Sequence, residues 1–216
     1  MPRRGKASDD EPDLFAQAGE NRPSLAALRQ EAAHCTRCEL HKRATQTVFG
    51  EGPATARIVL VGEQPGDQED LQGRPFVGPA GQVLDRALDE AGIDRAKVYV
   101  TNAVKHFKFE PRGKRRIHAK PNAGEIAACR WWLEREIAAL KPRLVIALGA
   151  TAAQALSGHA VSVMRHRGRA TALMGVKGII TVHPSYLLRI PDEDAKAAAY
   201  RDFVADLRTA HRLAAA

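Results

Sequence analysis

The chain has 216 residues, enough for one globular domain with its own core. Apolar residues make up 44% of it, and no run reaches the roughly 18 apolar residues of a membrane span. The net charge of +8 points to an anionic partner such as nucleic acid or an acidic membrane surface. The charged N-terminus lacks the apolar centre of a secretory signal, so a cytoplasmic protein with no membrane attachment is expected. Three cysteines, an odd number, do not make a disulfide framework and leave metal binding or burial.

Residues 1–21 are polar and rich in charge, Gly and Pro; they read as a disordered arm before a single domain over 22–216. Ser24 is placed to cap a helix through Leu25, Leu28 and Ala32 that delivers the chain to Cys35. Ile58-Val59-Leu60-Val61 predicts a first strand ending at Gly62. A helix follows from Gly81 to Ala91, with Val83, Leu84, Ala87 and Leu88 on one face and Gly92 at its C-terminal cap. Val98-Tyr99-Val100-Thr101 is the second strand. Asn122 and Glu125 have capping-box spacing, and Ile126, Cys129, Leu133, Ile137 and Leu140 form one apolar stripe that Pro142 stops. Residues 144–149 give a third strand, with a short helix from Thr151 to Leu156 behind it. Residues 179–182 give a fourth strand, and a last helix spans 192–213.

Short apolar strands separated by helices predict a three-layer α/β/α sandwich around a four-stranded parallel sheet. In such sheets the ligand crevice lies outside the carboxyl ends of the strands. The polar residues after each strand are therefore expected to converge: Glu63, Gln64 and Asp67, then Asn102, then Gly149 and Thr151, then His183.

Gly62-Glu63-Gln64-Pro65-Gly66-Asp67 leaves the first strand through a turn that lets backbone amides approach a ligand. Phe76 lies in a Gly/Pro-rich loop and is suited to stack on a flat ring. Asn102 offers a donor and an acceptor, which suits a pyrimidine edge. His183 is placed to donate to an oxyanion on a departing base. An ordinary tight turn, a core Phe, a structural Asn and a structural His would carry the same letters one at a time. In this order, however, Gly62-Glu63-Gln64-Pro65-Gly66, Gly73-Arg74-Pro75-Phe76-Val77-Gly78-Pro79-Ala80-Gly81, Thr101-Asn102-Ala103-Val104-Lys105 and His183-Pro184-Ser185 resemble the uracil-DNA glycosylase superfamily. The pattern is most similar to the family 4 enzymes, which carry a 4Fe-4S cluster.

Two departures narrow the resemblance. Family 4 usually has Ala where this chain has Gln64, and Lys114-Arg115-Arg116-Ile117-His118 occupies an extended loop. Together they resemble the X-type uracil-DNA glycosylases, in which the loop histidine becomes covalently linked to DNA. The resemblance thus implies His118 as the linking residue. Seven cations between positions 105 and 120 (Lys105, Lys108, Arg112, Lys114, Arg115, Arg116, Lys120) are expected to neutralise DNA phosphates. Ser185 and Arg189 join Lys114, Arg115 and Arg116 as expected DNA contacts.

Cys35 and Cys38 form C-x₂-C, and Cys129 lies far downstream. The family 4 pattern has four cysteines, and His106 stands where the missing one falls. A histidine replaces thiolate on iron in Rieske centres, so the resemblance implies Cys35, Cys38, His106 and Cys129 as ligands of an iron–sulfur cluster. Three Cys and one His also make a structural zinc site. Cys129 on an apolar stripe fits a buried cysteine as well, and His34 and His41 compete as the fourth ligand.

The mechanism so implied has uracil leave the stack, Phe76 stack on it and Asn102 read its edge, with Gln64 and His183 around it. His183 and backbone amides stabilise the uracil anion, and Asp67 places a water. His118, oriented by Glu63, captures C1′ in place of that water. The expected substrate is uracil-containing DNA, single strands included, with uracil released by a monomeric protein. Two rivals remain: a multiple-turnover glycosylase in which His118 touches phosphate, and a metal-stabilised nucleic-acid-binding module without chemistry.

Overall fold

A computed structural model of the protein describes residues 24–215, so the expected arm over 1–21 lies outside the described residues. The chain builds β1 (Ile58–Gly62), β2 (Tyr99–Asn102), β5 (Leu144–Leu148) and β7 (Val176–Thr181) where apolar runs predict strands. These four pair in parallel in the order β2-β1-β5-β7. Successive residues of each strand face opposite layers. Val59, Val61, Val145 and Ala147 pack under α1 (Leu25–Ala32), α4 (Ala123–Leu140) and α5 (Ala150–Ser157). Leu60, Leu144, Ile146 and Leu148 pack under α3 (Pro79–Glu90) and α8 (Glu193–Ala215). Both faces of the sheet are covered, so the expected three layers form.

The two expected N-terminal caps are borne out. Ser24 accepts from the Ala27 amide at 3.1 Å. Asn122 and Glu125 exchange bonds at 2.9 and 2.7 Å, each capping the other's amide.

The sheet carries one strand more than expected. Ala170–Leu173 forms β6, which pairs antiparallel with β7 at the edge. The turn between them places Met174 at φ 50° and Gly175 at φ 75°. Two positive φ values make a hairpin turn that twists with its strands, but a methionine in that role carries no turn signature. A second correction concerns the basic loop, which is a two-stranded hairpin of β3 (Phe109–Arg112) and β4 (Arg115–His118). Gly113, at φ 59°, starts its two-residue turn, so the tip cations project from an ordered arm. The connection after β1 enters the short helix α2 (Asp67–Gln72) at once. Two short helices, α6 (Val163–His166) and α7 (Pro184–Leu187), flank the last strand.

The direction of chain travel reverses between β1 and β5: β1 leads to β2 on one side and lies beside β5 on the other. This is the switch point at which open α/β sheets hold ligands.

Candidate active site

At that switch point lies a cavity of about 860 Å³. Glu63, Gln64, Phe76, Asn102, His118 and His183 all line it, together with Gly149. The residues after β1, β2, β5 and β7 therefore meet as the sheet pattern requires, and the hairpin adds His118 from the side.

The floor is built by close packing. Phe76 sits at φ 58°, a left-handed conformation unusual for a bulky residue and often found at functional sites. Its ring lies 6.0 Å from the His183 ring at an interplanar angle of 27°. A Cβ on Gly62 would stand 2.4 Å from Asn102 Oδ1 and 2.6 Å from the Phe76 ring, so only glycine lets both side chains close here. A Cβ on Gly81 would collide with the Phe76 carbonyl at 1.8 Å. Asn102 is buried, and among the described residues nothing hydrogen-bonds its carboxamide. Its donor and acceptor thus remain available to a ligand edge.

Glu69 holds the two glycine loops together, a role that residue type alone did not suggest. Its carboxylate accepts from Gly66 N at 3.0 Å and from Gly78 N at 2.8 Å. The available signal was its place three residues after Gly66, at the start of a helix.

Glu63 Oε1 lies 3.2 Å from His118 Nε2, and its Oε2 accepts the Thr151 hydroxyl at 2.5 Å. Burial pushes the Glu63 carboxyl up. Hydrogen bonds from His118 and Thr151 outweigh that push and hold it below the usual range. Burial depresses His183 to about 4, with Arg189 and His118 acting in the same direction and Glu63 opposing them. The half-buried His183 is thus a neutral imidazole at pH 7, fit to donate but not to carry charge. Its Nδ1 pairs with Ser185 Oγ at 2.8 Å, and Arg189 donates to the same oxygen at 3.1 Å.

Several expected roles change. Gln64 does reach the cavity, but its carboxamide is engaged: Nε2 donates to the carbonyls of Lys108 and Ala119, and Oε1 accepts from Lys108 N. It ties the two ends of the hairpin segment together. Asp67 does not line the cavity; it accepts from Arg116 Nε at 2.6 Å. Arg116 also donates to buried Asp70 at 2.6 Å and packs on the rings of Phe107 and Phe109. It anchors the hairpin instead of facing phosphate. Lys108 pairs with Glu125 at 3.0 Å. Lys105 has no solvent exposure and pairs with fully buried Glu136 at 2.5 Å. Of the basic run, Arg112, Lys114 and Arg115 are exposed at or beside the hairpin tip, and Lys120 lines the cavity.

Cys35 follows α1, Cys38 comes three residues on, and Cys129 lies on α4. Trp132 Nε1 donates to Cys35 Sγ at 3.1 Å, and Lys105 N donates to Cys129 Sγ at 3.1 Å. Burial pushes the Cys129 thiol up to about 12 and raises Cys38. His106 is buried; Thr47 occupies its Nε2 at 2.9 Å, and its Nδ1 has no partner. Among the described residues no three His, Cys, Asp or Glu side chains gather tightly enough to grip one metal ion. A polynuclear cluster spreads its ligands over several irons, and N–H donors to sulfur are among the features that tune it. Three cysteines, two of them accepting N–H bonds, and one orphaned imidazole nitrogen are the donor set such a group takes. His34 is exposed, and His41 bonds the Cys38 carbonyl at 2.7 Å through Nδ1.

Residues 49–208 match the family described as the uracil DNA glycosylase superfamily. The chain is 42% identical over 167 residues to a type-4 uracil-DNA glycosylase of Thermotoga maritima, covering 76% of this chain and 83% of that protein. A type-4 uracil-DNA glycosylase of Pyrobaculum aerophilum is 39% identical over 182 residues, with 77% and 86% covered. One from Archaeoglobus fulgidus is 35% identical over 176 residues, with 78% and 85% covered.

Proposed function

The chain belongs to the uracil DNA glycosylase superfamily, and we propose that it excises uracil from DNA and then captures the emptied sugar on His118. The observation that carries this reading is the meeting of Phe76, Asn102, His183, Glu63 and His118 on one cavity. Uracil swings out of the strand and enters that cavity. Phe76 lies against its face, and the Asn102 carboxamide pairs with its edge. The C1′–N1 bond breaks with both electrons leaving on uracil, whose negative oxygen accepts a hydrogen bond from neutral His183.

The sugar cation then takes the lone pair of the His118 nitrogen that Glu63 does not face. The proton on the opposite nitrogen passes by way of the Glu63 carboxylate and ends on the uracil anion, so charge and atoms balance. A neutral imidazole with a free ring nitrogen is a competent nucleophile. Exposed Lys114 and Arg115 on the hairpin, with Ser185 and Arg189 beyond His183, would face the DNA backbone. Single strands suit this arrangement because their bases need no unpairing.

Cys35, Cys38, Cys129 and His106 would hold a 4Fe-4S cluster. Its contribution would be structural, pinning the segment after α1 to α4 and to the chain that leads into the hairpin.

Incubation with uracil-containing single-stranded DNA, followed by a denaturing gel, tests the reading. The expected result is free uracil and a protein–DNA band that survives denaturation and disappears in His118→Ser. Abasic product without such a band would replace capture with ordinary turnover. Binding without any base release would refute both.

A further inference from the structure

Thr151 is the second residue of α5, just past β5, and is 1% exposed. A buried hydroxyl beside a charged site must spend its single O–H on some acceptor. Here the acceptor is Glu63 Oε2, at 2.5 Å. The other oxygen of the same carboxylate faces His118 Nε2 at 3.2 Å. A carboxylate held at one oxygen turns about its terminal bond, because that torsion is broad. Held at both oxygens, it presents a fixed plane.

We propose that Thr151 is a positioning residue that locks Glu63 so that its free oxygen is aimed at His118. The inference rests on the reading of the cavity as a uracil-excising site in which Glu63 and His118 work as a pair. Thr151 touches neither the base nor the sugar site; it acts through Glu63. The groups facing Glu63 are His118 from the hairpin, His183 from the segment before α7, and Thr151 from α5. Of these only Thr151 is a fixed neutral donor that stays in place at any pH. Its hydrogen bond also helps hold the Glu63 carboxyl ionised against burial. Its loss therefore frees the carboxylate to turn and makes it titrate higher.

Thr151→Val keeps the branched shape and deletes the donor, whereas Thr151→Ser keeps the donor. Single-turnover formation of the protein–DNA band on uracil-containing single-stranded DNA is measured against pH, alongside the dissociation constant for the same DNA. For Thr151→Val we expect capture to slow about tenfold or more, as for a hydrogen bond to a charged group, and the acid limb to move to higher pH. DNA affinity stays unchanged, and Thr151→Ser restores both rate and limb. The Glu63 carboxyl is followed separately by carbon-13 NMR on the full-length protein, and in Thr151→Val its titration moves up. The proposal is overturned if Thr151→Val matches the wild type in pH profile and carboxyl titration, or if Thr151→Ser is impaired as much as Thr151→Val. If the wild type releases no uracil or forms no protein–DNA band, the functional reading fails by itself. The carboxyl titration then decides this inference alone, an upward move upholding it and an unmoved curve refuting it.

Discussion

Replacing Lys105 with Met removes one side of a fully buried ion pair. Lys105 Nζ donates to Glu136 Oε2 at 2.5 Å, to Thr101 Oγ1 at 2.6 Å and to the Asn102 carbonyl at 2.8 Å. Glu136 Oε1 also accepts from Tyr99 Oη at 2.9 Å and from Gly50 N at 3.2 Å. With Lys105 gone, the carboxylate stays buried without a countercharge, which costs about 3–5 kcal/mol. In a domain of this size each kcal/mol lowers Tm by about 2–4 °C, so Lys105→Met should melt about 6–20 °C lower. Glu136→Gln alone strands the ammonium and should cost a similar amount. The double variant strands neither charge, and the carboxamide oxygen that takes the place of Oε1 still serves Tyr99, Thr101 and Gly50. It should be more stable than either single variant, by about 2 kcal/mol on the scale of a relieved buried charge. Urea unfolding of all four proteins, read as a double-mutant cycle, measures this. A double variant whose destabilisation equals the sum of the two single ones would refute the buried-pair reasoning.

Three other outcomes follow from the geometry. Lys114→Ser and Arg115→Ser should each reduce the salt slope of single-strand binding by about 0.7, the value for one phosphate no longer neutralised, whereas Lys105→Met should leave the slope unchanged. Gln64→Ala deletes the bonds to Lys108 and Ala119, so hairpin amides should exchange at least about tenfold faster, while those of β1 and β5 do not change. Slow hairpin exchange in that variant would show that other groups hold the arm. The unfolded chain protonates His183 near the usual 6.5, but the folded one refuses the proton until about 4. The stability that His183 contributes is therefore present above 6.5 and is lost as pH falls towards 4. Urea midpoints of wild type and His183→Gln should diverge across that window and run parallel above it. Curves parallel throughout would refute the depressed pKa.

The layers and the position of the cavity were legible because they depend on local pattern. Four short apolar runs, the Ser24 cap and the Asn122–Glu125 box each announce themselves within a few residues, and the switch-point rule then places the site. What escaped depends on partners far apart in sequence. Arg116 meets Asp67 across 49 positions, and Lys105 meets Glu136 across 31. A run of cations reads as a DNA surface until each cation's partner is known. The hairpin was hidden for another reason: Phe109–Arg112 and Arg115–His118 are mostly exposed and lack an apolar alternation. A strand pair without a buried face leaves no periodic signal. Gln64 lies on the cavity, while its bonds to the carbonyls of Lys108 and Ala119 join groups 44 and 55 positions away, because residue type fixes what an amide offers but not which groups accept it.

The hairpin anchors bear on which nucleophile would reach the sugar. A sugar cation is reactive enough that the nearest nucleophile wins, so position matters more than intrinsic reactivity. Three independent ties fix the arm beneath His118: Gln64 across its two ends, Arg116 on Asp67 and Asp70, and Lys108 on Glu125. Phe107 adds a packed ring 6.2 Å from the imidazole. The His118 side chain itself remains about half exposed, at 49%, so its reach into the cavity is set by its supports rather than by enclosure. On the capture reading, loosening any one support should raise the share of sugar that water takes before His118 arrives. Gln64→Ala and Arg116→Ser should therefore keep uracil release near the wild-type rate while the ratio of abasic product to protein–DNA band rises. A fall in uracil release with that ratio unchanged would mean that the arm serves base excision and not the choice of nucleophile.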